Sequence, residues 1–135
     1  MPEVSWRLLM REHPAPHLVA GIMPAAADEP ADAACHKLRL ALLARLARSL
    51  RLHGLYALAA IPERSGNAIQ CALARRDDAE RLGAAVGAAA TGDLPGFASQ
   101  RSFRFDAAAA EAIARSLRQR GPGRTPIRNR SAAIL

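Results

Sequence analysis

Aromatic residues are scarce in this sequence. Although half of the 135 residues are apolar, the aromatic ones are limited to Trp6, Tyr56, Phe97, Phe103 and Phe105. Much of the apolar half is alanine, so we expect a thin core of closely spaced elements rather than one built on large rings. The length still suits one domain that buries a core without help from disulfides or metal ions.

Cysteine is equally rare. Cys35 and Cys71 lie far apart and form no CxxC pair, which argues against a disulfide framework and against a zinc ribbon. No familiar metal-ligand spacing joins the wider set of thiol and imidazole groups, which comprises His13, His17, Cys35, His36, His53 and Cys71. We therefore expect no metal site and no cofactor, and reduced thiols in a cytoplasmic protein.

An apolar run of membrane-spanning length is also missing. The most leucine-rich stretch, residues 38–52, is interrupted by Arg39, Arg45, Arg48 and Arg51 and is typical of an amphipathic helix. Residues 1–16 carry charges and lack the continuous apolar segment of a signal peptide. The sequence thus predicts a cytoplasmic protein that does not enter a membrane.

Acidic residues are absent from the C-terminal end of the chain. After Glu111 there are six arginines and no acid: Arg115, Arg118, Arg120, Arg124, Arg128 and Arg130. Most of the net charge of +7 therefore resides there, and the remainder of the chain is close to neutral. These arginines can meet the phosphates of a nucleic acid or an acidic protein, or they belong to a solvated extension without a partner. We predict one domain at residues 1–120 and a flexible basic tail at 121–135.

Hydrophobic periodicity predicts the remaining elements. Alternating apolar residues favour strands at 16–24, within a hairpin at 55–74, and at 99–106, and residues 4–10 form a candidate further strand. A long helix is expected from about residue 28 to His53, ended by Gly54. Asp77 and Glu80 have the spacing of a capping box for a helix at 77–90, and Asp106 can cap a final helix at 107–120.

The order strand, helix, strand, strand, helix, strand is that of the ferredoxin-like βαββαβ sandwich, here with an added C-terminal helix. In that α+β fold both crossover helices lie on one face of a four-stranded antiparallel sheet. The other face would be lined by Gln70, Ala72 and Ala74. Because exposed sheet faces and edges are usually covered, we expect a homodimer unless the final helix covers this face within the chain.

Two basic patterns suit nucleic acid but also have simpler interpretations. In the segment at 101–105, Arg101, Phe103 and Phe105 share one side of a strand, as in readers of single-stranded RNA. With so few rings in the chain, we interpret both phenylalanines as core residues. On the long helix, Lys37, Arg48 and Arg51 share a face that can follow a phosphate backbone or simply be solvated.

Two classes of function remain. One is a non-enzymatic binding or accessory protein whose six C-terminal arginines contact nucleic acid or an acidic partner. The alternative is a dimeric enzyme or small-molecule sensor with a pocket between sheet and helices, where Tyr56, His53 and His17 would supply the polar groups. Since the sequence shows no paired carboxylates and no spacing typical of a nucleophile and its base, the binding protein is favoured.

Overall fold

The computed structural model describes residues 3–23, 33–63, 66–92 and 94–120, with side chains described except at 33–36, 61–63, 66–67 and 120. Within these ranges the chain forms four helices and five strands. In chain order they are α1 (Trp6–Glu12), β1 (His17–Met23), α2 (Ala33–Ser49), β2 (Tyr56–Glu63), β3 (Gly66–Leu73), α3 (Arg76–Val86), β4 (Ala89–Ala90), β5 (Ser99–Arg104) and α4 (Ala107–Arg120). None of the described helices has the length and apolar character needed to span a bilayer.

The strands form one mixed sheet in the order β2-β3-β1-β5-β4. The predicted hairpin is confirmed, because β2 and β3 pair antiparallel from Tyr56 opposite Leu73 to Glu63 opposite Gly66. Arg64 and Ser65, which fall between the two strands in sequence, lie outside the described residues. β3 also pairs antiparallel with β1, so the middle of the sheet follows the expected arrangement.

The ferredoxin-like order is not confirmed, because β5 runs parallel to β1. After α3 the chain forms the two-residue strand β4, which was expected to be the end of a helix extending to residue 90. β4 then pairs antiparallel with β5, which lies between β4 and β1. This additional reversal of the chain changes the direction of the last long strand relative to an all-antiparallel sheet.

The main core lies between one face of the sheet and helices α2, α3 and α4. Leu43 and Leu46 of α2, Leu82 of α3 and Ile113 of α4 are buried in it. The strands contribute Val19, Ile69, Cys71, Leu73, Phe103 and Phe105. The interpretation of both phenylalanines as core residues is therefore confirmed.

Gly21 makes room for these two rings. It pairs with Phe103 across β1 and β5, and a Cβ atom at Gly21 would lie 2.6 Å from Cδ2 of Phe105 and 2.8 Å from Cζ of Phe103. The ring centroids are 5.0 Å apart, within the usual range for aromatic pairs. A glycine at this position thus lets two of the few aromatic side chains lie directly on the strand.

The opposite face of the sheet is covered in part by α1. Residues 4–10 were expected as a strand, but Trp6–Glu12 is a helix whose N-cap, Ser5, accepts a hydrogen bond from the amide of Leu8 at 3.2 Å. Leu9 is fully buried in a second cluster with Ala57 and Ala72. The face expected to be open is thus occupied where those alanines lie.

The long helix ends earlier than expected. α2 stops at Ser49, and Arg51 adopts a left-handed backbone conformation with φ 52°. Gly54 does not end the helix; it lies in the following loop, where a Cβ atom would be 2.7 Å from Cγ of Arg75. The predicted start of the helix, residues 28–32, lies outside the described residues. Lys37 and Arg48 are exposed, which agrees with a solvated face.

Arg39, which interrupts the leucines of α2, is buried and donates a hydrogen bond from Nη1 to the carbonyl oxygen of Phe105 at 2.9 Å. Its guanidinium also lies over the ring of Phe105, 5.7 Å from the centroid. A cation that lies among apolar residues in sequence therefore joins α2 to the end of β5.

Candidate functional site

Helix α4 presents the only two of the six C-terminal arginines whose side chains are described. The helix is capped as predicted, because Oδ1 of Asp106 accepts a hydrogen bond from the amide of Ala109 at 2.9 Å. Ile113 and Leu117 are buried, whereas Arg115 and Arg118 are exposed. Since residues three apart lie on one helix face, the two guanidinium groups are neighbours on the solvent side. The side chain of Arg120 and all of Arg124, Arg128 and Arg130 lie outside the described residues.

Among the described residues no carboxylate forms an ion pair with Arg115 or Arg118, whereas several other exposed arginines have one. Arg48 lies 3.5 Å from Glu3, Arg75 lies 2.9 Å from Asp77, and Arg104 lies 3.1 Å from Asp106. Such exposed pairs contribute little to stability, but they do neutralise the local charge. On α4 the positive charges are left available to a partner.

His17 lies in a polar cluster that sequence reasoning found only in part. Its Nδ1 atom is 2.8 Å from Oγ of Ser99, and the two residues pair directly where the parallel strands β1 and β5 begin. Burial, followed by the charges of Arg76 and Arg101, lowers the pKa of His17 below its usual 6.5. The imidazole is therefore neutral at pH 7 and can accept a proton. Ser99 gave no sequence signal, because its partner is 82 positions away.

Arg101 connects this cluster to α3. Its Nη2 atom lies 3.7 Å from the carboxylate of Glu80, and its side chain crosses Gly83 so closely that a Cβ there would be 2.8 Å from Cδ of Arg101. Within the described residues the buried Nε atom has no hydrogen-bond partner. The cluster thus combines a hydroxyl, a neutral imidazole, two arginines and one carboxylate, contributed by two strands and a helix.

His53 lies beside a different pair of groups, at the N-terminus of α3. Asp78 is fully buried and accepts hydrogen bonds from the backbone amides of His53 at 3.0 Å and Gly54 at 2.8 Å. Asp77, which was expected to cap this helix, is not the N-cap; that residue is Arg75, without a side-chain cap hydrogen bond. Asp77 instead accepts a hydrogen bond from Nε of Arg75 at 2.9 Å, which lowers the pKa of Asp77 to about 2.

One ligand atom each from His53, Asp77 and Asp78 lies within 4.8 Å of the others, a spacing that a metal ion can bridge. The donor set does not favour one, however. Both oxygens of Asp78 already accept backbone hydrogen bonds, and Arg81 lies 3.8 Å from its Oδ1. Asp77 is likewise engaged by Arg75. The arrangement is that of a carboxylate anchor for the loop after α2.

Tyr56 is in the core rather than at a surface. It is buried beside Leu73, and burial raises the pKa of its phenol to about 12, with smaller contributions from the charges of Glu3 and Cys71. Tyr56, Leu73 and His17 pair in one row across β2, β3 and β1. Because neighbouring strands are about 4.8 Å apart, His17 and Tyr56 are separated by roughly 10 Å with Leu73 between them. Leu73 thus separates His17 from Tyr56 in this row.

A cavity of about 90 Å³ does lie between the sheet and helices α2, α3 and α4. Leu46, Phe103 and Ile113 are its buried lining, and small side chains of α3 and α4 surround them. The complete lining is Leu46, Ala85, Val86, Phe103, Ala109, Ala112, Ile113 and Ser116. Except for Ser116 its lining residues have apolar side chains, and Tyr56, His53 and His17 are not among them.

Comparison with known proteins adds no assignment. Neither a protein-family model nor a curated protein nor a solved structure matches this chain.

Proposed function

We propose that this protein is a binding protein that contacts nucleic acid through the arginines of α4 and of the C-terminal residues that follow it. The observation that carries the proposal is the orientation of α4. Ile113 and Leu117 attach the helix to the core, while Arg115 and Arg118 face solvent without a carboxylate partner among the described residues. The chain then adds Arg120, Arg124, Arg128 and Arg130 with no further acid.

Such a surface favours phosphate contacts over base recognition. Guanidinium groups bind phosphate oxygens in a bidentate manner and are only weakly hydrated, which suits them to a polyanion. The rings that could stack on bases are not available on β5, because Phe103 and Phe105 are buried. We therefore expect binding that is independent of base sequence and sensitive to salt.

Fluorescence anisotropy with labelled single-stranded and duplex DNA tests the proposal. The double variant Arg115→Gln/Arg118→Gln should bind more weakly at every sequence. Each lost phosphate contact should also reduce the slope of log affinity against log salt by about 0.7 to 0.9. The matched control is Arg7→Gln/Arg11→Gln, which removes the same charge from α1, where both residues are exposed.

Three outcomes oppose the proposal. The first is that the intact chain shows no affinity for DNA or RNA even at about 50 mM salt, where electrostatic attraction is strong. The second is that Arg7→Gln/Arg11→Gln weakens binding as much as Arg115→Gln/Arg118→Gln does. That result would show that the affinity depends on net charge alone. The third is that polyglutamate displaces the labelled nucleic acid as readily as unlabelled DNA does. That result would favour an acidic protein as the partner.

We further propose that the protein forms a homodimer through the β2 edge of the sheet. β2 is a terminal strand, and among the described residues only its first position is bridged, by Glu3 opposite Tyr56. Unpaired edge strands offer backbone groups to a second chain. Light scattering should give twice the monomer mass, and Ala60→Pro within β2 should reduce that mass, because proline removes a backbone donor that points away from β3. A monomer mass at high concentration is the contrary result.

A further inference from the structure

We propose a second site, which goes beyond nucleic-acid binding: Ser99 is a nucleophile activated by His17, and the pair transfers the acyl group of small anionic esters to water. The proposal starts from the distance of 2.8 Å between Nδ1 of His17 and Oγ of Ser99. That distance lies within the range required between a nucleophile and its base.

The two side chains are held by the sheet rather than by a loop. His17 and Ser99 are directly paired residues of β1 and β5, and the amide of Ala98, just before Ser99, donates a hydrogen bond to the carbonyl oxygen of Pro16 at 2.9 Å. Both residues are only partly buried, so a reagent can reach them. A nucleophile and base positioned on rigid elements need little rearrangement before reaction.

The surroundings favour a base that is unprotonated near neutral pH. Arg76 and Glu80 of α3 and Arg101 of β5 are the charged groups that act on His17. The burial of His17 and both arginines disfavour the imidazolium, and Glu80 opposes them in part. With the ring proton on Nε2, the Nδ1 atom accepts the hydroxyl hydrogen of Ser99.

The same arginines suggest the substrate class. Arg76 is exposed on the first turn of α3. Arg101 crosses Gly83 toward Glu80, so the cluster carries two guanidinium groups against one carboxylate when His17 is neutral. A substrate whose acyl part carries a carboxylate would be attracted to this side of the sheet.

The reaction balances without a cofactor. Oγ of Ser99 attacks the ester carbonyl carbon, and the hydroxyl proton passes to Nδ1 of His17. The new O–C bond forms as the bond to the leaving alkoxide breaks, and His17 returns the proton to that oxygen. His17 then takes a proton from water as the water oxygen attacks the acyl-serine carbonyl carbon. The bond between that carbon and Oγ breaks, and His17 returns the proton to Oγ, which releases the acid and restores the Ser99 hydroxyl.

The full-length chain should be treated with an alkyl fluorophosphonate, which forms an Oγ–P bond with loss of fluoride, and the labelled residue located by mass spectrometry. Ser99 should be labelled. Ser99→Ala should abolish that labelling, whereas Ser102→Ala, on the opposite side of β5, should leave it unchanged. Labelling of other serines only, or of none, overturns the proposal without requiring any variant to fold.

The variant His17→Asn distinguishes a catalytic base at His17 from a residue with a structural role only. Asparagine keeps a hydrogen-bond acceptor close to the position of Nδ1 but provides no base. We expect this variant to fold, as judged by circular dichroism, and to hydrolyse the p-nitrophenyl monoester of succinate at least about tenfold more slowly. Unchanged hydrolysis by His17→Asn overturns the role of His17 as a base.

The substrate class is tested by comparing that anionic ester with p-nitrophenyl acetate. The intact protein should prefer the succinate ester, and Arg76→Gln should lower the ratio of the succinate rate to the acetate rate. Equal rates on the two esters in the intact protein contradict the anionic substrate class. The rate should also rise with pH along a curve whose midpoint lies below 6.5, the usual histidine value.

Discussion

The buried carboxylate of Asp78 accepts a hydrogen bond from the backbone amide of Gly54 at 2.8 Å. A second bond, from the amide of His53 at 3.0 Å, reaches the other oxygen of the same carboxylate. Together they attach the loop after α2 to the first turn of α3, which follows β3. One side chain thus holds both ends of the β2–β3 hairpin to the helix layer.

Asp78→Ala should lower the free energy of unfolding by roughly 3 kcal/mol, because two backbone donors in a partly buried loop lose a charged acceptor. Urea unfolding followed by circular dichroism measures the change. Asp77→Ala is the matched control, since Asp77 is the adjacent carboxylate and is far less buried. A control variant as unstable as Asp78→Ala would show that the loop does not depend on the buried carboxylate.

Gly83 and Arg101 should be strongly coupled. Alanine in a helix interior is normally more stable than glycine by about 1 kcal/mol. We expect no such gain from Gly83→Ala in the native protein, because the new Cβ would lie 2.8 Å from Cδ of Arg101 and displace it from Glu80. In an Arg101→Ala background the same change should stabilise the protein by about 1 kcal/mol. Thermal unfolding of the native protein, the two single variants and the double variant measures this coupling. Additive effects of the two substitutions would contradict a steric coupling.

Arg51→Gly should stabilise the protein by about 0.5 to 1 kcal/mol. Arg51 has φ 52°, a conformation that strains residues with a Cβ atom but not glycine. Arg45→Gly removes the same side chain from the interior of α2 and should cost about 1 kcal/mol instead. Chemical denaturation of both variants checks the opposite signs. If both substitutions destabilise the protein, the contacts of the Arg51 side chain stabilise the native state by more than its backbone conformation costs.

His17 should make stability depend on pH below 6.5. Its folded pKa is lowered from that value, mainly by burial and then by Arg76 and Arg101, so the unfolded chain binds more protons in this range. Stability contributed by the neutral ring is present above pH 6.5 and decreases as the pH falls toward the folded pKa. His17→Asn should flatten this part of the stability curve, measured by urea unfolding from pH 7 to pH 5. An unchanged curve would assign the pH dependence to other groups.

The surface of the candidate nucleic-acid site was accessible to sequence reasoning, because it depends on local features. A run of arginines without acids is visible directly, and the helical period of residues 107–120 separates the buried Ile113 from the exposed Arg115. The cluster around His17 was not accessible in the same way. Ser99 and Arg101 become its neighbours only through the pairing of β5 with β1.

Local periodicity and capping determined several elements from the sequence alone. The alternation through Ile69, Cys71 and Leu73 predicted a strand in a hairpin, and Asp106 predicted the start of α4; both are present. The pattern around Phe103 likewise predicted which side of β5 is buried. In each case the predictive pattern lies within a few consecutive residues of the chain.

Tertiary structure decided the rest. Residues 4–10 are too few to separate a helix from a strand by period, and α1 is a helix that places Leu9 on Ala57 and Ala72 of the sheet. Ala89–Ala90 lacks the branched and aromatic residues typical of strands, and its pairing with β5 makes it one. The parallel direction of β5, and with it the contact between His17 and Ser99, follows from that extra reversal. Periodicity indicates which face of an element is buried, whereas the neighbours of a strand depend on packing free energy summed over residues distant in the chain.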